Sequence, residues 1–293
     1  MASLREVRRR IGGIQKTQKI TRAMKMVAAA KLRRRQSAVV AARPYAQAMK
    51  DLLLHLATVA GDSANELMTP REVHSLAMVV VTSDRGFCGA FNSNLFRTAL
   101  AHVGTQAGAL GVAPALKVIC VGKKGSEYFS KRGYDVTGRY VGVSTPLVFA
   151  QAQAIARDLV AGYRNGAYDR VDVVYNEFKS ISQRQIAVEQ FLPIPAVSPE
   201  KGRAAREYIC EPGGKEILDA LVPRYLSFAL WRVLLESNAA EEGARMAAME
   251  SATDNAEEII STLQLQYNKA RQSAITTELL EIVSGAEALA SSE

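Results

Sequence analysis

MAAMESATDNAEEIISTLQLQYNKARQSAITT, residues 246–277, is the stretch that decides the fold. Met246, Met249, Thr253, Ala256, Ile260, Leu263, Tyr267, Ala270, Ala274 and Thr277 fall at alternating steps of three and four. That is the heptad spacing of a helix with one covered stripe. Many of these residues are small, so two helices can approach closely along the stripe while burying less apolar surface than leucines would. The surrounding helical pattern runs from Pro212-Gly213-Gly214 almost to the end, with Pro223 in an early turn and Gly243 weakening it locally. A helix of about 75 residues spans about 110 Å, far more than a single domain needs.

The opposite end of the chain reads in the same way. Residues 4 to 58 contain one proline, Pro44, and no glycine after Gly12-Gly13. Leu4, Val7, Ile11 and Ile14, then Ile20, Met24 and Val27, have helical spacing with a stutter between the two groups. Ser3 followed by Glu6 has the capping-box pattern, which starts the helix almost at residue 1. Two long helices, each with an apolar stripe that needs a cover, imply an antiparallel coiled coil. The trailing helix is the longer by about 20 residues, so one end is expected to project as a single helix.

Between them the pattern changes. Leu76–Thr82, Leu116–Val121 and Val171–Phe178 are short apolar runs of the kind buried on both faces of a sheet. Helical stretches near 92–104, 123–132 and 146–165 alternate with them, and Arg184–Leu192 adds a further strand. Alternation of this kind predicts βαβ units and a mostly parallel, Rossmann-like sheet. The expected organisation is an N-terminal coiled-coil helix over 1–60, an α/β domain over 70–200 and a C-terminal coiled-coil helix over 213–293. The fold class is α/β plus long helices.

Composition narrows the function. No apolar run among the 293 residues is long enough to span a bilayer. The opening residues lack an apolar signal region, which argues against export. Cys88, Cys120 and Cys210 are odd in number and far apart, and His55, His74 and His102 share no ligand spacing, so neither a disulfide framework nor a metal centre is expected. No cofactor is implied. Charge is segregated: residues 1–50 carry a net +13, residues 51–212 a net +2 and residues 213–293 a net −7. The two ends therefore suit either separate partners or each other.

Two features invite a chemical reading. Arg5, Arg8, Arg9, Arg10, Lys16, Lys19, Arg22, Lys25, Lys31, Arg33, Arg34 and Arg35 crowd the first helix. They fit a solvated face, a surface for an acidic partner, or phosphate contacts in a coiled-coil nucleic-acid-binding protein. No aromatic interleaving or DNA-reading motif supports the last. Ser83–Asn92 (SDRGFCGAFN) lies between a strand and a helix, where α/β sheets bind ligands. Its glycine spacing matches neither phosphate-binding motif, so a tight turn capped by Asn92 or Ser93 is the preferred reading over a small α/β enzyme. No nucleophile–base pair or paired carboxylate accompanies it.

Four segments then match one family in order. Leu4–Val7 with Thr17–Leu32 (TQKITRAMKMVAAAKL), SDRGFCGAFNSN at 83–94, RMAAMESATDNA at 245–256 and ITTELLEIVSGAEA at 275–288 resemble the gamma subunits of bacterial F-type ATP synthases. The resemblance spans nearly the whole chain and is weakest over 195–215. The chloroplast type's regulatory insertion with its cysteine pair is absent.

The resemblance implies a central rotor shaft that couples proton flow through a membrane ring to ATP synthesis or hydrolysis. The ATP chemistry then lies on the partner beta subunits, so this chain is not itself an enzyme. It implies alpha, beta and epsilon subunits and the ring of c subunits as partners, with delta in the same complex, and no nucleic acid. It places the chain peripherally on the cytoplasmic side of a cell inner membrane. By the same resemblance, Arg22, Met24 and Lys25 face an acidic loop on beta, while Arg271, Gln272, Thr276 and Glu278 meet catch loops of the head, with Arg245 coupled to them. Ile282, Val283, Ala286 and Leu289 would lie in an apolar bearing, and Glu207 and Tyr208 at the foot against epsilon and the c ring.

Overall fold

The computed structural model describes residues 4–60, 65–110, 113–180, 184–195 and 213–290. Contacts divide the chain into two compact units, Ala28–Arg245 and the paired segments Met1–Val27 and Met246–Glu293. The first helix, α1, covers Leu4–Ala60 and is helical through Pro44, and the last, α5, covers Gly214–Ala290. They are 57 and 77 residues long, a difference of 20.

The larger unit is built on a five-stranded sheet. Its strands are β1 (Ser75–Val81), β2 (Ala115–Val121), β3 (Val136–Tyr140), β4 (Arg170–Phe178) and β5 (Arg184–Leu192). The order across the sheet is β3-β2-β1-β4-β5, parallel except for the antiparallel β4–β5 pair. The helices α2 (Phe91–Leu110), α3 (Lys123–Lys131) and α4 (Phe149–Arg164) connect the parallel strands.

Helices on both faces explain why β1 reads as an unbroken apolar run. Met78, Val80, Val118, Cys120 and Val174 pack with Leu95, Phe96 and Ala99 of α2 and Phe129 of α3. On the other face Ala77, Val79, Ile119, Val173 and Tyr175 pack with Ile155 and Leu159 of α4, with Leu226, Leu230 and Val233 of α5, and with Leu53 and Leu56 of α1. The long helices are thus part of this core as well as partners of each other. Within the unit they run antiparallel: Arg35 meets Glu242, and Tyr45 meets Phe228 edge to face.

The sequence pattern does not predict β3. Its residues, VTGRY, alternate between half-buried and exposed at the sheet edge, where little apolar surface is required. The stutter expected in α1 is also absent. In the smaller unit Val7, Ile11, Ile14, Gln18, Thr21 and Lys25 are the covered positions, an uninterrupted heptad. In the larger unit Ala28, Leu32, Arg35, Val39, Ala42, Ala46, Met49, Leu53 and Leu56 keep the same steps. Ile20 and Val27, expected on the seam, are 60% and 55% exposed. Thr21 and Ala28 replace them because the seam lies one residue further on, and small side chains there allow close approach.

Candidate functional site

In the smaller unit, α1 and α5 meet along a narrow seam. Met249, Ala256 and Leu263 are buried, and Met246, Thr253, Ile260, Tyr267 and Ala270 are half-buried. The Thr21 and Thr253 hydroxyls lie 2.8 Å apart across it. Lys25 Nζ donates to Glu250 at 2.6 Å, so the basic and acidic ends of the chain are complementary at this contact. Both partners are exposed, which limits the pair to about 0–1 kcal/mol. Arg22 beside it is exposed and Met24 is half-buried.

The seam ends at Ala270. Ala274 and Thr277 keep the heptad spacing but are exposed, as are all residues from Arg271 to Ser284. This stretch therefore presents Arg271, Gln272, Thr276 and Glu278 to solvent on one helix. The Thr276 hydroxyl donates to the Gln272 carbonyl at 3.0 Å and leaves the Gln272 side chain outward. Ile275, Leu279, Leu280, Ile282 and Val283 are between 49% and 62% exposed, and Ala286 is exposed too. Leu289 lies on α5 beyond the side chains described, and Glu207 and Tyr208 lie outside the described residues. Along α5 the Arg271 group is about 30 Å from Glu250, so Arg22, Met24 and Lys25 form a separate cluster from Arg271–Glu278.

Arg245 belongs to the larger unit and is held tightly. It pairs with Glu241 at 2.5 Å and with Glu242 at 2.9 Å, and it reaches the Gly86 carbonyl at 3.5 Å. The Glu242 oxygen nearest it is close enough to pair but is not aligned for a hydrogen bond. Arg35 of α1 completes the group, 3.1 Å from Glu242 and 2.9 Å from the Asn238 carbonyl. Burial pushes the Glu241 carboxyl up, against the hydrogen bond from Arg245 that pulls it down. With Lys31 4.0 Å from Glu242, three cations answer the two carboxylates. Sequence spacing gives Glu241-Glu242 and Arg245 as a helical i, i+4 set, but not the partner Arg35 more than 200 residues away.

Through Gly86, Arg245 touches the turn that follows β1. Ser83 N–H donates to Asn92 Oδ1 at 3.1 Å, and Asn92 Nδ2 donates back to the Ser83 hydroxyl at 2.7 Å. Asn92 therefore ties the turn to its strand rather than capping α2 alone, while Ser93 donates to the Ala90 carbonyl. Phe87 has a φ of 62°, a conformation that costs a bulky residue energy, and its ring is 72% exposed.

The position where an α/β sheet would hold phosphate is filled from within. One Asp84 carboxylate oxygen accepts the backbone N–H groups of Lys123, at the start of α3, and of Gly142, at 2.9 and 3.2 Å. The Thr82 hydroxyl accepts the Gly125 N–H at 2.9 Å. The first donors of α3 are thus satisfied by the residues that follow β1.

The sequence profile of the ATP synthase family matches residues 3–289. ATP synthase gamma chains of Chlorobaculum parvum and Chlorobaculum tepidum are 50% and 48% identical, over 99% of this chain and 99% of theirs. That of Salinibacter ruber is 49% identical with the same coverage. Among solved structures, a chain of the Tetrahymena thermophila mitochondrial ATP synthase central stalk and c ring is 28% identical with a TM-score of 0.59, covering 80% of this chain and 99% of its own. A chain of the Euglena gracilis mitochondrial enzyme, 22% identical with a TM-score of 0.66, shares the fold over 98% of this chain and 94% of its own. With a seam of paired long helices, a doubly covered sheet and full-length identity near one half, the chain belongs to the gamma chains of ATP synthase.

Proposed function

We infer that the chain is the central rotor shaft of an F-type ATP synthase. In that role it couples proton flow through a ring of c subunits to ATP synthesis and hydrolysis on a hexamer of alpha and beta subunits. The observation that carries this is the end of α5. Residues 271–284 form a helix with no partner helix among the described residues, rich in exposed apolar side chains and carrying Arg271 and Glu278. Such a surface is complete only inside another protein.

The chemistry then stays on beta, and this chain acts as a cam. Arg271, Gln272, Thr276 and Glu278 contact catch loops of the head, and Ile282, Val283, Ala286 and Leu289 run in an apolar sleeve, where few directional bonds mean little friction. Arg22, Met24 and Lys25 face an acidic loop on beta. Lys25 shares its charge with Glu250, so Arg22 has the freer cation of the two. Arg245 transmits position differently, by fixing the 83–92 turn to α5. Glu207 and Tyr208 serve the foot, with epsilon and the c ring, and delta completes the complex. A basic α1 needs no nucleic acid under this reading, since acidic loops and the chain's own acidic helix answer its charge. No helix among the described residues is long and apolar enough to cross a membrane, and attachment to the cytoplasmic face of the inner membrane is through the complex.

The test is ATP hydrolysis by purified alpha and beta subunits with and without one equivalent of the chain. A stable complex with higher turnover is expected. Arg271→Glu and Glu278→Lys should lower coupled synthesis while leaving the circular dichroism of the chain unchanged. Subunits that respond to another gamma chain but neither bind nor respond to this one would refute the assignment.

A further inference from the structure

A small cavity of about 10 Å³ lies where the C-terminal ends of β1 and β2 meet α5. Its polar walls are Thr82, Ser144, Ser237, Asn238 and Glu241, and its apolar walls include Val81, Val121 and Leu234. Asn238 is only 6% exposed, and its Nδ2 donates to the Ser144 carbonyl at 3.4 Å. Its Oδ1 is buried and has no hydrogen-bond partner within the protein. A buried acceptor left unpaired is costly, by the full desolvation of the group.

The Thr82 hydroxyl donates to the Val121 carbonyl at 3.1 Å, and the Ser144 carbonyl is an acceptor already engaged by Asn238. Of the polar groups around the space, the buried Asn238 amide oxygen is left without a partner, and Glu241 and Ser237 line the same space. A cation is disfavoured, because Arg245 and Arg35 already balance Glu241 and Glu242. A neutral molecule with two donors fits both the volume and the acceptors.

We propose that this cavity is the site of one internal water molecule, donating to Asn238 Oδ1 and to the Glu241 carboxylate and accepting from the Ser237 hydroxyl. All three partners lie on α5, so the water completes the polar face that this helix turns to the ends of β1 and β2. The Glu241 carboxylate is then shared between Arg245 and the water.

A structure of the full chain at a resolution that shows ordered water tests this directly. A density peak in hydrogen-bond range of both Asn238 Oδ1 and a Glu241 oxygen, about 2.7–3.2 Å, is expected. Absence of a peak where other buried waters are resolved would overturn the proposal. Asn238→Leu supplies the second measurement. The variant should lose the peak, and a peak unchanged in the variant would overturn the proposal; the Tm does not decide the matter, because it also registers the lost Nδ2 bond to the Ser144 carbonyl.

Discussion

Gly122 illustrates how one position can be closed to every other side chain. Its φ is +105°, and a Cβ there would overlap the carbonyl of Thr82 on the neighbouring strand. Gly122→Ala should therefore cost about 3 kcal/mol, combining backbone strain with overpacking, and denaturant melts would show it. Cys120 illustrates burial acting on chemistry. It is fully buried beneath α2 and α3, and desolvation pushes its thiol up to about 12 from an ordinary 9.0. Burial raises Cys88 as well. The thiolate is the reactive form, so alkylation of both at pH 8 should be slower than in denaturant, as mass spectrometry would reveal. The raised value also sets a sign. The folded state keeps the Cys120 proton while the unfolded chain loses it, so this contribution to stability is whole below pH 9 and lost as the pH climbs towards 12.

At the scale of elements, the α1 seam is the critical feature. Leu32 is 3% exposed, and its methyl groups lie 3.9 Å from where a Cβ on Gly243 would stand. Leu32→Ala should cost about 2–5 kcal/mol, read from the shift of the unfolding midpoint. The sequence made much of this architecture legible: β1, β2 and β4 were plain because both faces are covered, and the α5 heptad because its small and apolar residues share one period. The register of α1 was not. Ile20 and Val27 are the most apolar residues of their turns yet face outward, whereas Thr21 and Ala28 carry the seam. Hydropathy marks what prefers to leave water, whereas the seam selects side chains small enough for two helices to approach closely. β3 escaped notice because an edge strand can be polar. Arg245 could be named from the family resemblance, but its contact with Gly86 and the second arginine on Glu242, Arg35, could not, since pairs far apart in sequence leave no periodic trace.

For the whole molecule, the division of labour along α5 gives a separable prediction. Deleting residues from Arg271 onward removes a stretch whose described side chains lie outside the seam and outside both core clusters. The thermal midpoint of the remainder should hold, while coupled ATP synthesis by the reconstituted complex falls. A truncated chain that unfolds early would show that this end stabilises the fold, contrary to its exposure. Equal synthesis by the truncated chain would remove the proposed catch-loop contacts.

That same bare end has a consequence for how the protein is made. Ile275, Leu279, Leu280, Ile282 and Val283 lie within nine residues of one helix, and none of the described residues covers them. Until a partner encloses it, this apolar tip is a place where one newly made copy can stick to another. A cell that synthesises the chain in excess of its partners should accumulate inclusion bodies rather than a reserve of free rotors. The stoichiometry of expression is thus constrained by the same side chains that would serve as a bearing.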